Sequence, residues 1–342
     1  MRRINRDPER FEVIHLFEAM ARKRGLKLND PSSHQSFLDR VSDGFNSSKN
    51  NPIIIHGRRI ESMFEHVAAG LGKTILIKRE DAGDVCSADP DVQPPDFRLV
   101  LDGGTDLFVE VKNCHKADPN YRFSLKRSYL SALEKYAAIF GRDLYLAIFW
   151  SRWGKWTLIS PVQLTPVERP SIKFLDAVTK NEMSLLGDVL VGTTPPLSLR
   201  IITNPSKPRT VNADGECTFY ISSAELYCDG VRIEDPLEQN LAFYFLLNSD
   251  WEVGNAKAKL EGDQLIYFDS VAEPREPVPN QGFQILGFLS EIISRNYNDI
   301  TAESGKVHQL SPGNEPGSLG IVIPQEYKGK SLPLWRFTVV AK

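Results

Sequence analysis

Residues 96–112, DFRLVLDGGTDLFVEVK, predict a β-hairpin and restrict what the first half of the chain can fold into. Two apolar segments with the alternation of strands flank a Gly-Gly turn, which is a strong hairpin signal. The second segment carries Glu110 and Lys112 two positions apart, so both side chains point to the same face of the strand. An amphipathic edge strand with a solvated face would have the same pattern, so the neighbouring sequence has to separate the two interpretations.

Antiparallel pairing of the hairpin is expected to place Asp96 beside Glu110 and Lys112 at one rim of a sheet. Upstream, Glu61 and Glu65 lie four residues apart on one face of a predicted helix that can lean over this rim. Carboxylates that converge beside a lysine are costly unless a divalent cation neutralises them. Oxygen ligands of this kind favour Mg²⁺ or Mn²⁺ as the cofactor.

The predicted elements around the hairpin follow the order αβββαββ. A helix that ends near Gly72 precedes a strand over 73–80, and the hairpin comes next. A second helix over 124–141 leads to two further strands, over 143–150 and 155–161. This alternation predicts an α/β fold with a mixed sheet flanked by helices.

The motifs and the element order together resemble the PD-(D/E)XK nuclease superfamily over about residues 50–160. The motif PDF stands at 95–97 and EVK at 110–112, with a glutamate-bearing helix before them and a lysine-bearing helix after them. The resemblance implies a restriction-endonuclease-like αβββαβ core, similar to that of Holliday-junction resolvases. It also implies a metal-dependent nuclease that hydrolyses phosphodiester bonds, with DNA as the expected substrate and endonucleolytic cleavage as the expected activity.

Carried over by position, the resemblance implies that Asp96 and Glu110 bind the metal directly and that the Val111 carbonyl is a further ligand. Glu61 matches the helical glutamate of the superfamily and is also an expected metal ligand, with Glu65 as the second choice. Lys112 would orient or help to deprotonate the attacking water and stabilise the charge developing on the phosphate. Phosphodiester hydrolysis requires a metal-activated water and charge stabilisation, which agrees with these residue types.

Lys126 and Arg127 stand where members of the superfamily often keep a basic or amide residue. Both are expected to bind substrate by contacting a phosphate, and a solvated lysine is the alternative for Lys126. A run of aspartates between the first strand and the hairpin suggests a second metal site, but Asp beside Gly and Pro favours a turn-forming role. These aspartates are Asp81, Asp84, Asp89 and Asp91.

Three regions are predicted along the chain. Residues 1–50 form an N-terminal helical extension, residues 51–165 a PD-(D/E)XK nuclease-like domain, and residues 166–342 an α+β accessory domain. In the accessory domain, short strand-like runs alternate with two helical candidates, at 237–247 and 283–297.

The charge distribution differs between the two halves of the chain. Residues 1–160 carry 25 Lys and Arg against 21 Asp and Glu, whereas residues 161–342 carry 16 against 23. The basic excess favours nucleic-acid binding by the first half. The acidic second half favours a protein partner or a homodimer contact through the accessory domain, with substrate recognition as a further role.

The sequence predicts neither a membrane protein nor a secreted protein. No apolar run approaches the roughly 20 residues that span a bilayer, and the N-terminus lacks the pattern of a signal peptide. The four cysteines are scattered without a CxxC pair, which argues against a zinc site and a disulfide scaffold. A cytoplasmic protein without a membrane partner is expected.

Two other interpretations stay open. One is a non-catalytic nucleic-acid-binding or scaffold protein that keeps a nuclease-like fold. The other refines the nuclease interpretation and makes the chain the nuclease component of a restriction, mobile-element or phage-defence system. The presence of Glu61, Asp96 and Glu110 together with Lys112 favours an enzyme, because a binding module does not need three converging acids.

Overall fold

The N-terminal region is helical, and two of its three helices begin at a polar cap followed by proline. A computed structural model describes residues 1–3 and 7–341 of the 342-residue chain. Asp30 and Asn51 accept backbone N–H bonds at the starts of the second and third helices. After a π-helical turn at Pro8–Glu12, the helices are α1 (Val13–Arg24), α2 (Pro31–Lys49) and α3 (Pro52–Gly70). The sequence predicted only a polar stretch where α2 lies, because this helix buries little more than Phe37.

A five-stranded mixed sheet forms the centre of the first half, with strand order β1-β2-β3-β5-β6. β3 and β5 are parallel, since α4 connects them, and the other neighbours are antiparallel. The elements are β1 (Thr74–Arg79), β2 (Phe97–Leu101), β3 (Asp106–Cys114), β4 (Arg122–Ser124), α4 (Arg127–Phe140), β5 (Asp143–Trp150) and β6 (Lys155–Ile159). Helix α3 packs on one face of this sheet and α4 on the other. The predicted α/β fold with a mixed sheet flanked by helices is therefore confirmed.

The hairpin of β2 and β3 has the predicted register. Phe97 lies opposite Val109 and Leu99 opposite Leu107, and a short 3₁₀ turn joins the strands. Gly103 and Gly104 adopt φ of +83° and +87°, a region that residues with a Cβ rarely enter. The Gly-Gly pair thus fixes the turn, and the turn fixes which side chains meet at the far end of the hairpin.

The C-terminal half contains two larger sheets, the two-stranded pair β16–β17, and two 13-residue helices, and its first strand, β7, pairs with β4. One sheet has the order β11-β10-β9-β14-β12, with β13 paired to β14, and a three-stranded sheet has the order β15-β8-β18. The elements are β7 (Ser171–Lys173), α5 (Phe174–Thr179), β8 (Leu190–Thr193), β9 (Leu197–Thr203), β10 (Ile221–Cys228), β11 (Val231–Ile233), α6 (Pro236–Asn248), β12 (Glu252–Val253), β13 (Lys257–Glu261), β14 (Gln264–Glu273), β15 (Gln284–Phe288), α7 (Leu289–Thr301), β16 (Ala302–Glu303), β17 (Lys306–Val307) and β18 (Leu334–Phe337).

The helix predicted over 283–297 is wrong in its first part. Residues Gln284–Phe288 form β15, and α7 begins only at Leu289. An apolar run that passes from a strand directly into a helix gives no sequence signal at the junction, because both elements are buried.

A single buried cluster joins the two halves of the chain. Met63 and Phe64 of α3 and Trp156 of β6 belong to the same hydrophobic cluster as Ile292 and Tyr297 of α7. The Trp156 indole also donates a hydrogen bond of 2.9 Å to the Ser294 hydroxyl. The core is continuous across residues 165 and 166, and the division into domains there stays a prediction. Over the described residues, no helix is long and apolar enough to cross a bilayer.

Asp188 is a buried carboxylate at the start of α7. It is 4% exposed, and its oxygens accept bonds from the Ser290 backbone N–H at 3.0 Å and the Ser290 hydroxyl at 2.6 Å. Burial raises the pKa of Asp188 to about 7, although the bonds from Ser290 favour the charged form. The folded chain therefore keeps a proton at mildly acidic pH that the unfolded chain releases.

The free energy of unfolding is expected to fall as the pH rises from about 4 to about 7, by up to about 1.4 kcal/mol per pH unit from this group alone. Asp188→Asn cannot titrate, so its stability relative to the wild type is expected to increase across the same interval. Urea unfolding of both proteins at a series of pH values measures this difference. A difference that does not change with pH would contradict the raised pKa.

Candidate metal centre at the rim of the central sheet

Asp96 and Glu110 lie side by side where β2 begins and β3 approaches its end. The backbone N–H of Asp96 donates to Glu110 Oε2 at 3.2 Å, and the N–H of Val111 donates to Asp96 Oδ2 at 2.7 Å. These two hydrogen bonds follow from the hairpin register and hold both carboxylates at one rim of the sheet. Val111 pairs with Ala147 of β5 and is 5% exposed, and the role of its carbonyl as a metal ligand stays a prediction.

Three carboxylates converge at this rim. Glu61 of α3, Asp81 just after β1, and Asp96 each offer one oxygen, and these oxygens lie within 4.8 Å of one another. The sequence interpretation gave Asp81 a turn-forming role, whereas the fold places it beside the acids of α3 and the hairpin. Clustered carboxylate oxygens fit the preference of Mg²⁺ and Mn²⁺. The donor set is therefore suited to a hard divalent cation.

Glu110 anchors a second group of side chains behind the acids. It is 2% exposed, and its carboxylate accepts hydrogen bonds from the Lys112 ammonium and the Tyr129 hydroxyl. Lys112 Nζ also lies 3.3 Å from the Tyr129 oxygen. Tyr129 was not identified from the sequence as part of the site. Its only signal was a position on α4, next to the buried Leu130, where the chain passes back over the sheet.

Burial and mutual charge shift the pKa values at the site. Burial raises the pKa of Asp96 to about 7, and the neighbouring charge of Glu110 acts in the same direction. For Lys112, burial alone would lower the pKa, but the charges of Glu110, Tyr129 and Asp96 together raise it above its ordinary value. Burial and the charge of Glu110 likewise raise the pKa of the Tyr129 hydroxyl. The raised pKa of Asp96 shows that its ionised form is destabilised in the folded chain, and a divalent cation at the cluster would stabilise that form.

Arginines contact the acids of α3 and Asp81. Arg58 Nη1 lies 2.7 Å from Glu61 and 3.3 Å from Asp81. Arg79 binds Glu65 at 2.8 Å and lies 3.6 Å from Glu61. Glu65 is also paired with an N-terminal arginine, at 3.0 Å. Glu65 lies outside the three-acid cluster that contains Glu61, which favours Glu61 as the helical ligand.

Lys126 and Arg127 stand at the start of α4, with both side chains exposed. Lys126 is the residue before the first helical turn, and Arg127 Nη2 donates to the carbonyl of Val167 at 3.3 Å. Their position at the helix that carries Tyr129 leaves them accessible to a ligand. A phosphate contact by either residue stays a prediction.

No protein-family model matches the chain, and no curated protein sequence matches it. Among solved structures, the chain is similar to a Holliday junction resolvase from the archaeal hyperthermophile Archaeoglobus fulgidus. The match has 21% sequence identity and a TM-score of 0.24, and it covers 30% of this chain and 77% of the resolvase. The likeness to this nuclease is distant.

Proposed function

We propose that the chain is a metal-dependent nuclease that hydrolyses phosphodiester bonds in DNA, with Mg²⁺ or Mn²⁺ as its cofactor. The observation that carries this proposal is the convergence of Glu61, Asp81 and Asp96 at a rim that also holds Glu110 and Lys112. Like charges at this spacing repel one another, and in the chain alone Arg58 pairs with two of the three acids but not with Asp96. A divalent cation would neutralise all three together.

Asp96, Glu61 and Asp81 would hold the metal, with Glu110 adjacent to Asp96. A bound divalent ion supplies an activated water at neutral pH and polarises the phosphate. The Lys112 ammonium contacts Glu110 and Tyr129 and would donate a hydrogen bond to the attacking water or to a phosphate oxygen. Tyr129 and Glu110 would keep the ammonium in position, and the exposed Lys126 and Arg127 would bind the phosphate backbone.

Incubation of the purified chain with labelled double-stranded, single-stranded and branched DNA and with RNA tests the proposal. Each substrate is incubated with Mg²⁺, Mn²⁺, Ca²⁺ or EDTA. Cleavage of DNA is expected with Mg²⁺ and Mn²⁺, while Ca²⁺ is expected to support binding with little turnover. Cleavage of a closed circular DNA, which has no ends, identifies an endonuclease. Equal cleavage in EDTA, or none under any condition, would contradict the proposal.

The biological setting is part of the same proposal. A cytoplasmic nuclease of a restriction, phage-defence or mobile-element system would use its C-terminal half, which carries the acidic excess, to bind a protein partner or a second copy. Gel filtration and a pull-down from the source cells test for such an assembly.

The alternative, a non-catalytic protein that keeps the fold, is supported by the contacts of Arg58. In such a protein the Arg58 guanidinium would bridge Glu61 and Asp81 permanently and take the place of a metal ion. The Arg58 side chain is 50% exposed, and ion pairs of this kind contribute little stability. We expect the arginine to swing into solvent when a metal binds.

Arg58→Gln is therefore expected to tighten Mn²⁺ binding several-fold, because the metal no longer competes with a cation for two carboxylates. Calorimetric titration with Mn²⁺ measures the change, and Arg142→Gln is the matched control because the similarly exposed Arg142 pairs with the partly buried Asp106 at the opposite end of β3. Loss of Mn²⁺ binding in Arg58→Gln, or no binding by the wild type, would favour the non-catalytic alternative.

A further inference from the structure

A cavity of about 810 Å³ opens beside the candidate metal centre, between the first turns of α3, the ends of β3 and β5, and helix α7. Asn113, which follows Lys112 in β3, forms part of its wall, and Arg59, two residues before Glu61 on α3, forms another part. The cavity lies on the α3 face of the sheet, whereas Lys112 and Glu110 contact Tyr129 of α4. It is therefore separate from the acids but shares two elements with them.

Arg59 is a buried cation without an acidic partner in the part of the chain that the structure describes. The residue is 8% exposed, and its guanidinium donates only to neutral groups. Nε and Nη2 bind the Thr301 hydroxyl at 3.0 and 2.8 Å, and Nη2 binds the Asn298 side-chain oxygen at 2.6 Å. Burial lowers the pKa of Arg59, with Tyr297 acting in the opposite direction, and no carboxylate among the described residues pairs with the guanidinium. A buried charge of this kind is costly unless an anion pairs with it.

The third guanidinium nitrogen, Nη1, makes no hydrogen bond to any described residue. Because α7 holds the other two nitrogens, the direction of the guanidinium is fixed before any ligand arrives. An arginine held in this way suits phosphate, which accepts hydrogen bonds from the planar donor fork.

Asn113 supplies a second unsatisfied group in the same wall. Its side-chain oxygen is buried and lacks a hydrogen-bond partner among residues 1–3 and 7–341. A buried amide without a partner costs free energy that a ligand with a polar edge can recover. The arginine and the amide thus point to a ligand with both an anionic and a neutral polar part.

The rest of the wall is mainly apolar and includes two imidazoles as well as Ser151 and Asn298. Phe149 and Ile60 contribute apolar surface, and His56 and His115 contribute rings that can stack on a base or bind its edge. The volume is far larger than one phosphate needs and falls within the range of small-molecule sites, about 300–1,000 Å³.

We propose that this cavity binds a nucleoside phosphate, with the phosphate on Arg59 and the base between Phe149, the two histidines and the Asn113 amide. Either a free mononucleotide or the terminal nucleotide of a strand has this chemistry. The inference concerns binding alone and does not depend on the hydrolysis proposed above.

Gly57 provides a variant that narrows the cavity beside Arg59 without disturbing the fold. It lies in α3 and lines the cavity, and a Cβ added there meets no atom within 4 Å. Leucine also favours a helix more than glycine does. Gly57→Leu is therefore expected to have an unfolding midpoint at or above that of the wild type. Gly44→Leu is the matched control, because Gly44 also lies within a helix, with the same open space and away from the cavity.

Calorimetric titration in EDTA, with no divalent metal, measures binding independently of cleavage. The probes are adenosine 5′-monophosphate, cytidine 5′-monophosphate, adenosine, inorganic phosphate, and one oligonucleotide with and without a 5′-phosphate. Wild type and Gly44→Leu are expected to bind a phosphorylated probe at least tenfold more tightly than its unphosphorylated counterpart. Gly57→Leu is expected to lose this binding, and Arg59→Gln to lose at least the tenfold preference for phosphate.

The same experiment distinguishes a free mononucleotide from the end of a strand as the ligand. Tighter binding of the free mononucleotide identifies a soluble nucleotide, and tighter binding of the 5′-phosphorylated oligonucleotide identifies a strand end. Absence of saturable binding by the wild type, or wild-type affinity in Gly57→Leu, would overturn the proposal while leaving the nuclease assay unaffected.

Discussion

Replacing Lys112 with alanine is expected to lower the rate of DNA cleavage by at least about 10²-fold, the range typical of losing a positioned proton donor or charge-stabilising group. The Lys112 ammonium contacts both Glu110 and Tyr129, so the variant removes the group to which the proposed mechanism assigns stabilisation of the developing charge. Metal binding should persist, because Glu61, Asp81 and Asp96 are unchanged. DNA affinity should fall much less than the rate, since one lysine is a small part of the charge that binds a phosphate backbone.

The Lys112 variant also loses a partner of the buried Glu110, so a lower unfolding midpoint is expected as well. The cleavage rate is therefore compared well below the midpoint of both proteins. Lys116→Ala is the matched control, because this exposed lysine lies four residues further along the chain and removes the same charge without contacting Glu110. Wild-type cleavage by Lys112→Ala would remove the basis for assigning the EVK strand to catalysis.

The part of the site that the sequence predicted is the part that is local in the chain. Asp96, Glu110 and Lys112 meet because a Gly-Gly turn sets the register of one hairpin, and a short turn has a recognisable sequence. Helical spacing placed both Glu61 and Glu65 over the rim, and the preference for Glu61 came from the resemblance to the superfamily. The proximity of the hairpin residues follows from rules that act over a few residues.

The missed groups depend on packing between distant segments. Asp81 reaches the cluster only because β1 pairs with β2 and α3 leans over the rim, and no local pattern distinguishes it from a turn-forming aspartate. Tyr129 contacts Glu110 because α4 crosses the sheet face. Arg59 is the extreme case, since its hydroxyl partner Thr301 lies 242 residues away. A charged residue in an amphipathic helix gives no sign in sequence that another helix will bury it.

Packing also explains why the C-terminal half was predicted less well. Its strands were located from short apolar runs, but the junction of β15 and α7 is buried on both sides and carries no polar or glycine signal of its own. The shared cluster of α3, β6 and α7 could not be inferred from the sequence, because the change to short strand-like runs in the second half indicates a change in element type and not a break in the core.

Asp96→Asn is expected to abolish cleavage by a different route, through loss of metal binding. The asparagine oxygen can still accept the hydrogen bond from the Val111 N–H, so the hairpin should keep its register. Removing one charge beside Glu110 relieves like-charge repulsion, so in EDTA at neutral pH the variant should be at least as stable as the wild type. Saturating Mg²⁺ should raise the unfolding midpoint of the wild type and leave that of Asp96→Asn almost unchanged, because a ligand stabilises only a fold that binds it.

A metal titration of the two variants on one DNA substrate then separates the two roles. Excess Mn²⁺ should partly restore cleavage by Asp96→Asn, since a weakened site fills at higher concentration, but it should not restore Lys112→Ala, whose metal site is already full. Asp89→Asn, which changes an exposed acid paired with Lys135, is the control for a general charge effect. If Asp96→Asn keeps both the Mg²⁺-dependent rise in midpoint and the cleavage rate, Asp96 is not a metal ligand, and its place beside Glu110 serves only to pair the hairpin.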